Sequence, residues 1–399
     1  MTASIYLAPA ASGKTAYALR LAREASRGLR ATPRVVVPTH LQARACRRRL
    51  AELGGAMGVH VLTFDRLTDE CLAAAGETYV ELSDPVQFRL VRSLLDELPL
   101  THYAPLRDRP GFVQVLQGLI GELKAAQVWP EALAAAVAEL GGEPRLDELA
   151  LIYAAYQAQL HARGWADRAG LGWLAVEALA ERAPDVARDW SLLVVDGFDS
   201  FTPVQLALLA TLGARAEHMV VTLTGALDAR ERALVHRRFT RTRRDLEERL
   251  GVRAVPLPEL DGRHAAPLAH LESGMFCGEG TQVDADGAVE LVAAPDRAAE
   301  ARAALRWLKA RLVQDGLRPG EVALLARDVG PYRPFILQTA AEFGLPVRVT
   351  GGVPLRTNPA VAALLDLLRL VLPSPVPNAA ARETEPALPW RLVLEAWRS

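Results

Sequence analysis

The 399-residue sequence is short of lysine, cysteine and net charge, and each shortage narrows its class. Only three of its 46 basic residues are lysine (Lys14, Lys124 and Lys309), so a lysine within a motif is unusually informative. The three cysteines, Cys46, Cys71 and Cys277, are odd in number and far apart. They exclude a disulfide framework, offer no zinc or iron–sulfur spacing, and fit a reducing compartment. A net charge of −1 argues against a small, uniformly basic DNA-binding module but leaves local basic faces open. No apolar run reaches the roughly 18 residues of a membrane span. The opening MTASIYLAPAASGK lacks the charged start of a signal peptide. A soluble cytoplasmic protein is the expectation.

What is present is a core. Half of the residues are hydrophobic, and the length suits two or three domains. Short apolar runs at 4–7, 34–37 and 59–63 alternate with helical patterns, which predicts a parallel sheet covered on both faces. Residues 86–98, 111–126 and 146–163 read as successive helices without a convincing strand between them. The strand pattern returns at 191–195 (SLLVV) and 218–223 (HMVVTL). The economical reading is an α/β domain (1–65 plus 190–250) interrupted by a helical insert (66–189). A Pro- and Gly-rich linker (251–287) follows. A second α/β pattern occupies 288–399, with strands expected at 289–293, 321–326 and 346–349 and helices at 297–314, 332–343 and 359–372.

The strongest chemical signal is Ala8-Pro9-Ala10-Ala11-Ser12-Gly13-Lys14-Thr15, set between a predicted strand and a predicted helix. There, backbone N–H groups and the helix N-terminus can cradle phosphates, with Lys14 reaching the β and γ groups and Thr15 a Mg2+ ion. The bland alternative is an ordinary helix start capped by Ser12. The metal needs a second carboxylate at the end of a neighbouring strand, and Val194-Val195-Asp196 offers one, although Asp196 would also serve as a turn former. The next residue is Gly197, where an active motor has Glu to position the attacking water. Hydrolysis is therefore expected to be impaired.

The loop APAASGKT resembles motif I of superfamily 1A helicases, with Ala11 standing in a Gly slot. The stretch LLVVDGFDSFTPVQ is similar to motif II of the AddB-type subunit of bacterial helicase–nuclease complexes, an inactivated, UvrD-like helicase. VVVPTHLQARACRRRL resembles motif Ia, VHVLTFDRL motif Ib, and EVALLARD with the residues after it motif IV and the start of domain 2A. The ordered set covers nearly the whole chain. It implies a RecA-like P-loop domain 1A with a helical insertion 1B, followed by a second, incomplete RecA-like lobe. The family's C-terminal nuclease, with its cysteine ligands for an iron–sulfur cluster, is not in this sequence, which reads as an N-terminal part or a truncated relative.

Carried over residue by residue, the resemblance implies that Ser12, Gly13, Lys14 and Thr15 hold ATP and that Thr15 and Asp196 hold Mg2+. Arg327 matches the motif IV arginine that reaches toward the γ-phosphate, with a surface arginine as the alternative. Thr39, His40, Thr63 and Phe64 fall where motifs Ia and Ib meet DNA. Phe64 would stack on a base, unless it is a core aromatic. After the strand at 218–223, Thr224-Gly225-Ala226 lacks the Asp and Gln of motif III, a second loss of motor chemistry. Residues 16–50 hold nine arginines and one acid, and residues 230–253 nine arginines and four acids. These runs suit phosphate contact or solvated helix faces equally.

The resulting expectation is a nucleotide- and DNA-binding, helicase-like scaffold in double-strand-break repair by homologous recombination. Its partner would be an AddA-type subunit. An active ATP-dependent DNA translocase is the alternative, and a small-molecule P-loop kinase is disfavoured by the long insert.

Overall fold

The computed structural model describes residues 2–28, 32–181, 185–227, 233–258, 265–276, 281–285 and 287–371. Cys277, Arg30, Arg230, Arg232 and the expected lobe beyond 371 lie outside the described residues. Two compact units divide the chain, Met1–Val283 and Asp284–Ser399. Among the described residues no helix is long and apolar enough to cross a membrane.

The first unit is built on a six-stranded sheet. Its strands are β1 (Thr2–Ala8), β2 (Arg34–Val36), β3 (His60–Leu62), β6 (Leu192–Val195), β7 (His218–Thr224) and β8 (Ala254–Pro256). They lie in the order β3-β2-β6-β7-β1-β8, and every neighbouring pair is parallel. Parallel strands covered on both faces need apolar side chains on both, which is why LLVV of β6 is buried at all four positions. The chain steps from β1 to β2 and β3 in one direction, and from β6 to β7 and β8 in the other. Right-handed crossovers then place their helices on opposite faces. Helices α1 (Lys14–Ala25) and α2 (His40–Glu52) bury Ala18, Leu19, Ala22, Ala43 and Cys46 against one face. Helices α3 (Phe64–Ala74), α8 (Arg168–Glu181), α9 (Pro203–Gly213) and α10 (Ala233–Leu250) cover the other. Strand β8 lies in what the sequence suggested was linker. Ala254, Val255 and Pro256 pair with Ile5, Tyr6 and Leu7, an edge position where proline's missing N–H costs nothing.

Between α3 and α8 a separate helical core forms from α4 (Asp84–Glu97), α5 (Pro110–Ala125), α6 (Pro130–Glu139) and α7 (Pro144–Arg163). A two-residue ladder of β4 (Val80–Glu81) with β5 (Trp165–Ala166) closes its base. This core runs from Leu82 to Trp165, shorter than the 66–189 read from sequence, because α3 and α8 bury their apolar faces on the sheet instead.

Lys124, fully buried, explains the second of the three lysines. Its Nζ lies 2.7 Å from Asp167 Oδ2, the Tyr156 hydroxyl donates to the same oxygen at 2.8 Å, and the Gly170 N–H donates to Oδ1 at 2.6 Å. Burial pulls the ammonium below its ordinary pKa, and the Asp167 carboxylate opposes that pull. Removing one partner of such a buried pair typically costs about 3–5 kcal/mol, so the network ties α5 and α7 to the start of α8. Cys46 and Cys71 are buried, and burial pushes their thiols up to about 11 and about 12. Helix α11 (Ala266–Gly274) completes the described part of this unit.

The described part of the second unit consists of α12 (Arg297–Gln314), α13 (Arg333–Phe343) and α14 (Pro359–Val371) with connecting segments. The expectation of strands at 289–293, 321–326 and 346–349 is not met. No sheet ladder joins these segments among the described residues, and Pro319–Glu321 forms a 3-10 turn. Leu291 and Leu325 are 100% and 90% exposed, while Val322, Val347 and Val349 pack against Leu305, Leu308 and Ile336 of α12 and α13. An apolar run signals burial, not a hydrogen-bonding neighbour. The parallel α/β architecture is thus a property of the first unit.

Candidate functional site

Strands β1, β6 and β7 end at the same edge of the sheet, and their register brings three loops together there. Val195 pairs with Val221, and Ala8 with Thr224. The residues just beyond, Pro9–Gly13, Asp196 and Gly225, meet where connections leave toward opposite faces, the topological switch point at which open α/β sheets bind ligands.

The loop after β1 turns through two left-handed residues, Ala11 at φ +53° and Gly13 at φ +87°. Gly13 caps α1, which has no side-chain cap and no acidic residue in its first turn, so its N–H groups and positive dipole end face outward. Lys14 folds back over the loop. Its Nζ donates to the carbonyls of Pro9 at 2.5 Å and Ala8 at 3.1 Å. Burial pulls the Lys14 ammonium below its ordinary pKa, and the carboxylates of Asp196 and Glu272 oppose the shift.

Asp196, 4% exposed, faces this loop. Its backbone N–H donates to Val36 O at 3.0 Å, extending the β2–β6 ladder by one rung. The Thr15 hydroxyl donates to Oδ2 at 2.7 Å, and the Thr222 hydroxyl donates to Oδ1. Thr222 was missed in the sequence. The signal was there: a polar residue inside the apolar strand HMVVTLT, one position past the partner of Val195 and therefore opposite Asp196. Ser12, Gly13, Lys14, Thr15 and Asp196 are thus brought together. Arg327 belongs to the other unit, where it is exposed.

Gly197, next to Asp196, sits at φ +85°. A Cβ there would come within 3.4 Å of Gln42 Nε2 and 3.5 Å of Pro38 Cδ, ordinary contacts. The constraint on this position is the backbone, which side chains other than glycine's adopt only under strain.

A groove of about 330 Å³ opens where four helices begin, α2, α3, α8 and α9, and its walls include His40, Phe64, Arg66, Arg168, Thr202 and Gln205. Thr39 and His40 are exposed at its side, and the Thr39 hydroxyl caps α2 by accepting from Gln42 N at 3.2 Å. Across it, Arg168 pairs with Asp65, joining the starts of α8 and α3. Thr202 and Gln205 form a reciprocal capping box on α9. The reading of Thr63 and Phe64 as DNA-contacting groups is corrected by burial. Thr63 is 5% exposed and Phe64 8%. Phe64 meets Phe198 and Phe201 edge to face, with ring centroids 5.1 and 6.1 Å apart, and floors the groove as part of the core. Of the two roles the sequence allows Phe64, the core aromatic is the one realised.

Residues 5–257 match the family model described as ADDB, N-terminal. A protein of Moorella thermoacetica, named as a subunit of an ATP-dependent helicase/deoxyribonuclease, is 32% identical, over 93% of this chain and 34% of that protein. Proteins of the same name from Bacillus subtilis and Acetivibrio thermocellus are 26% and 24% identical, over 80% and 91% of this chain and 29% and 33% of theirs. The chain spans about a third of the length of the curated relatives it matches.

Proposed function

The chain belongs to the family of AddB N-terminal regions, and from that premise we propose that it is the nucleotide- and DNA-binding, helicase-like scaffold of a helicase–nuclease acting in double-strand-break repair. The observation that carries the reading is the convergence of Lys14, Thr15 and Asp196 at the switch point, beside a helix whose first turn has neither a side-chain cap nor an acid. These groups suit a nucleoside triphosphate with Mg2+. Ser12–Thr15 supply backbone donors and the Lys14 ammonium for phosphate oxygens, while the Thr15 hydroxyl and the Asp196 carboxylate are oxygen donors of the kind Mg2+ takes. Mg2+ would supply charge neutralisation at the phosphates.

Hydrolysis further needs a residue that orients the attacking water. Gly197 offers no such side chain, and Thr224-Gly225-Ala226 at the end of β7 has neither the Asp nor the Gln of motif III. The site therefore grips nucleotide with little turnover, and the groove beside His40, Arg66 and Arg168 accepts DNA. Its relatives carry the word subunit in their name, which supports a partner of the AddA type.

The test has two arms. A fluorescent ATP analogue should bind the unchanged chain and lose at least about tenfold in affinity (~1.4 kcal/mol) on Lys14→Ala. Steady-state ATPase with single-stranded DNA should stay well below about 1 s⁻¹, at the low end for an enzyme. Turnover above that rate would make the chain an active translocase, and unchanged analogue binding by Lys14→Ala would remove the nucleotide assignment.

A further inference from the structure

The second arginine-rich run of the sequence has a definite place in the fold. Helix α10 crosses from β7 to β8 over the sheet face that also carries α9, and Leu246 anchors it in that core. At about 100° per residue, Arg237, Arg238, Arg241, Arg244 and Arg249 fall within an arc of about 140° with Arg241 near its centre. All five are exposed. Asp245 and Glu248 share the arc, which leaves it with an excess of positive charge. Arg238 pairs with Asp199 at 2.9 Å. On the flank, Glu247 takes Arg243 and Arg253. Arg237, Arg241, Arg244 and Arg249 have no ion pair among the described residues. A solvated face that only kept the helix soluble would gain from i,i+4 pairing, yet Arg241 and Arg244 leave Asp245 and Glu248 unpaired.

This face adjoins the groove already described. A second groove, of about 940 Å³, lies between α10 and the start of α9 and is lined by Gln127, Phe201, Pro203, Arg238, Arg241 and Arg249 among others. The first groove is walled by Thr202, Val204 and Gln205, and the second by Pro203 and Leu206. Only the first turn of α9 separates them. Arg238 on Asp199, and the Thr242 hydroxyl on Asp199 O at 2.7 Å, hold α10 against the segment that follows Asp196.

From this continuity we infer that a nucleic-acid strand in the first groove continues over the first turn of α9 onto α10, where Arg237, Arg241 and Arg244 bind its phosphodiester backbone. Arg237 and Arg241 stand about 6 Å apart along the helix axis, and Arg241 and Arg244 about 4.5 Å. The planar guanidinium fork suits phosphate oxygens and makes the contact independent of sequence. The inference rests on the DNA-binding reading above and adds a contact surface to it.

The test is the binding of a fluorescent single-stranded oligonucleotide to the 399-residue chain, followed from about 50 to about 300 mM salt. For three phosphate contacts on a single strand, R237A/R241A/R244A should reduce the slope of log affinity against log salt by about two. Low-salt affinity should fall tenfold or more, with the melting temperature unchanged because all three side chains are exposed. R237K/R241K/R244K should recover most of the slope, since lysine still binds phosphate as a point charge. An unaltered slope in the alanine variant, or a loss that lysine does not restore, overturns the inference while leaving the DNA-binding reading intact. Failure of the unchanged chain to bind the oligonucleotide overturns both. An acidic protein surface as the true occupant would give the first of these failures.

Discussion

Thr15 Oγ1 donates a 2.7 Å hydrogen bond to Asp196 Oδ2, joining residues 181 positions apart in sequence. The bond spans the C-terminal ends of β1 and β6 and holds the carboxylate toward the loop. Thr15→Val removes the donor and keeps the shape. Stability should fall by about 0.5–1.5 kcal/mol, and the preference of a fluorescent ATP analogue for Mg2+ over EDTA should largely disappear. A variant with the full Mg2+ preference of the unchanged chain would sever Thr15 from metal binding.

Ala11 stands at φ +53°, where an L side chain is strained and glycine is not. Ala11→Gly should therefore stabilise the chain by about 0.5–1 kcal/mol in urea unfolding and preserve nucleotide affinity. Ala11→Val, with a branched side chain at the same φ, should lose about 1–2 kcal/mol. Equal stabilities for the two variants would mean that the loop adopts another backbone in solution.

The absent carboxylate beside Asp196 invites repair by Gly197→Glu. At φ +85° that side chain carries a backbone penalty of about 1–2 kcal/mol, and a backbone that relaxes to avoid it moves the carboxylate away from its intended place. DNA-stimulated ATPase should stay below about 1 s⁻¹ in the variant. A rise to motor-like turnover would show that only the side chain was lost.

Glu148 tests a different part of the molecule. Burial alone would raise its carboxyl. The backbone N–H groups of Tyr103, His102 and Thr101, with the Thr101 hydroxyl, outweigh that and hold it down at about 2. A folded-state value below the usual carboxylate range near 4.3 makes its contribution complete at neutral pH. That contribution is lost as pH falls toward about 2. The stability gap between the unchanged chain and Glu148→Gln should accordingly shrink between about pH 4.5 and about pH 2. Urea melts across that range would refute the account if the gap stayed constant.

The sheet strands were legible because LLVV is apolar throughout and HMVVTL is apolar but for His218 and Thr222, as a doubly covered parallel strand needs to be. The loop was legible because its chemistry is local to eight residues. Sequence reasoning failed where partners are remote. Phe64 reads the same whether it faces a base or Phe198 and Phe201, and the choice is made by residues well over a hundred positions away. Helices α3 and α8 are periodic like those of the insert, and nothing local says that their apolar faces meet the sheet. In the second unit the apolar runs were real, but a strand is defined by its neighbour, and hydropathy does not name one.

The doubling back of Lys14 onto the carbonyls of Pro9 and Ala8 has a consequence for discrimination. Occupying the loop is an exchange: two amide acceptors must be given up, and only an acceptor with more negative charge makes that favourable. A neutral nucleoside, however well its ring fits, has no means of drawing the ammonium away. Affinity should then climb with the number of phosphates, making the loop a counter of charge before it is a reader of the base.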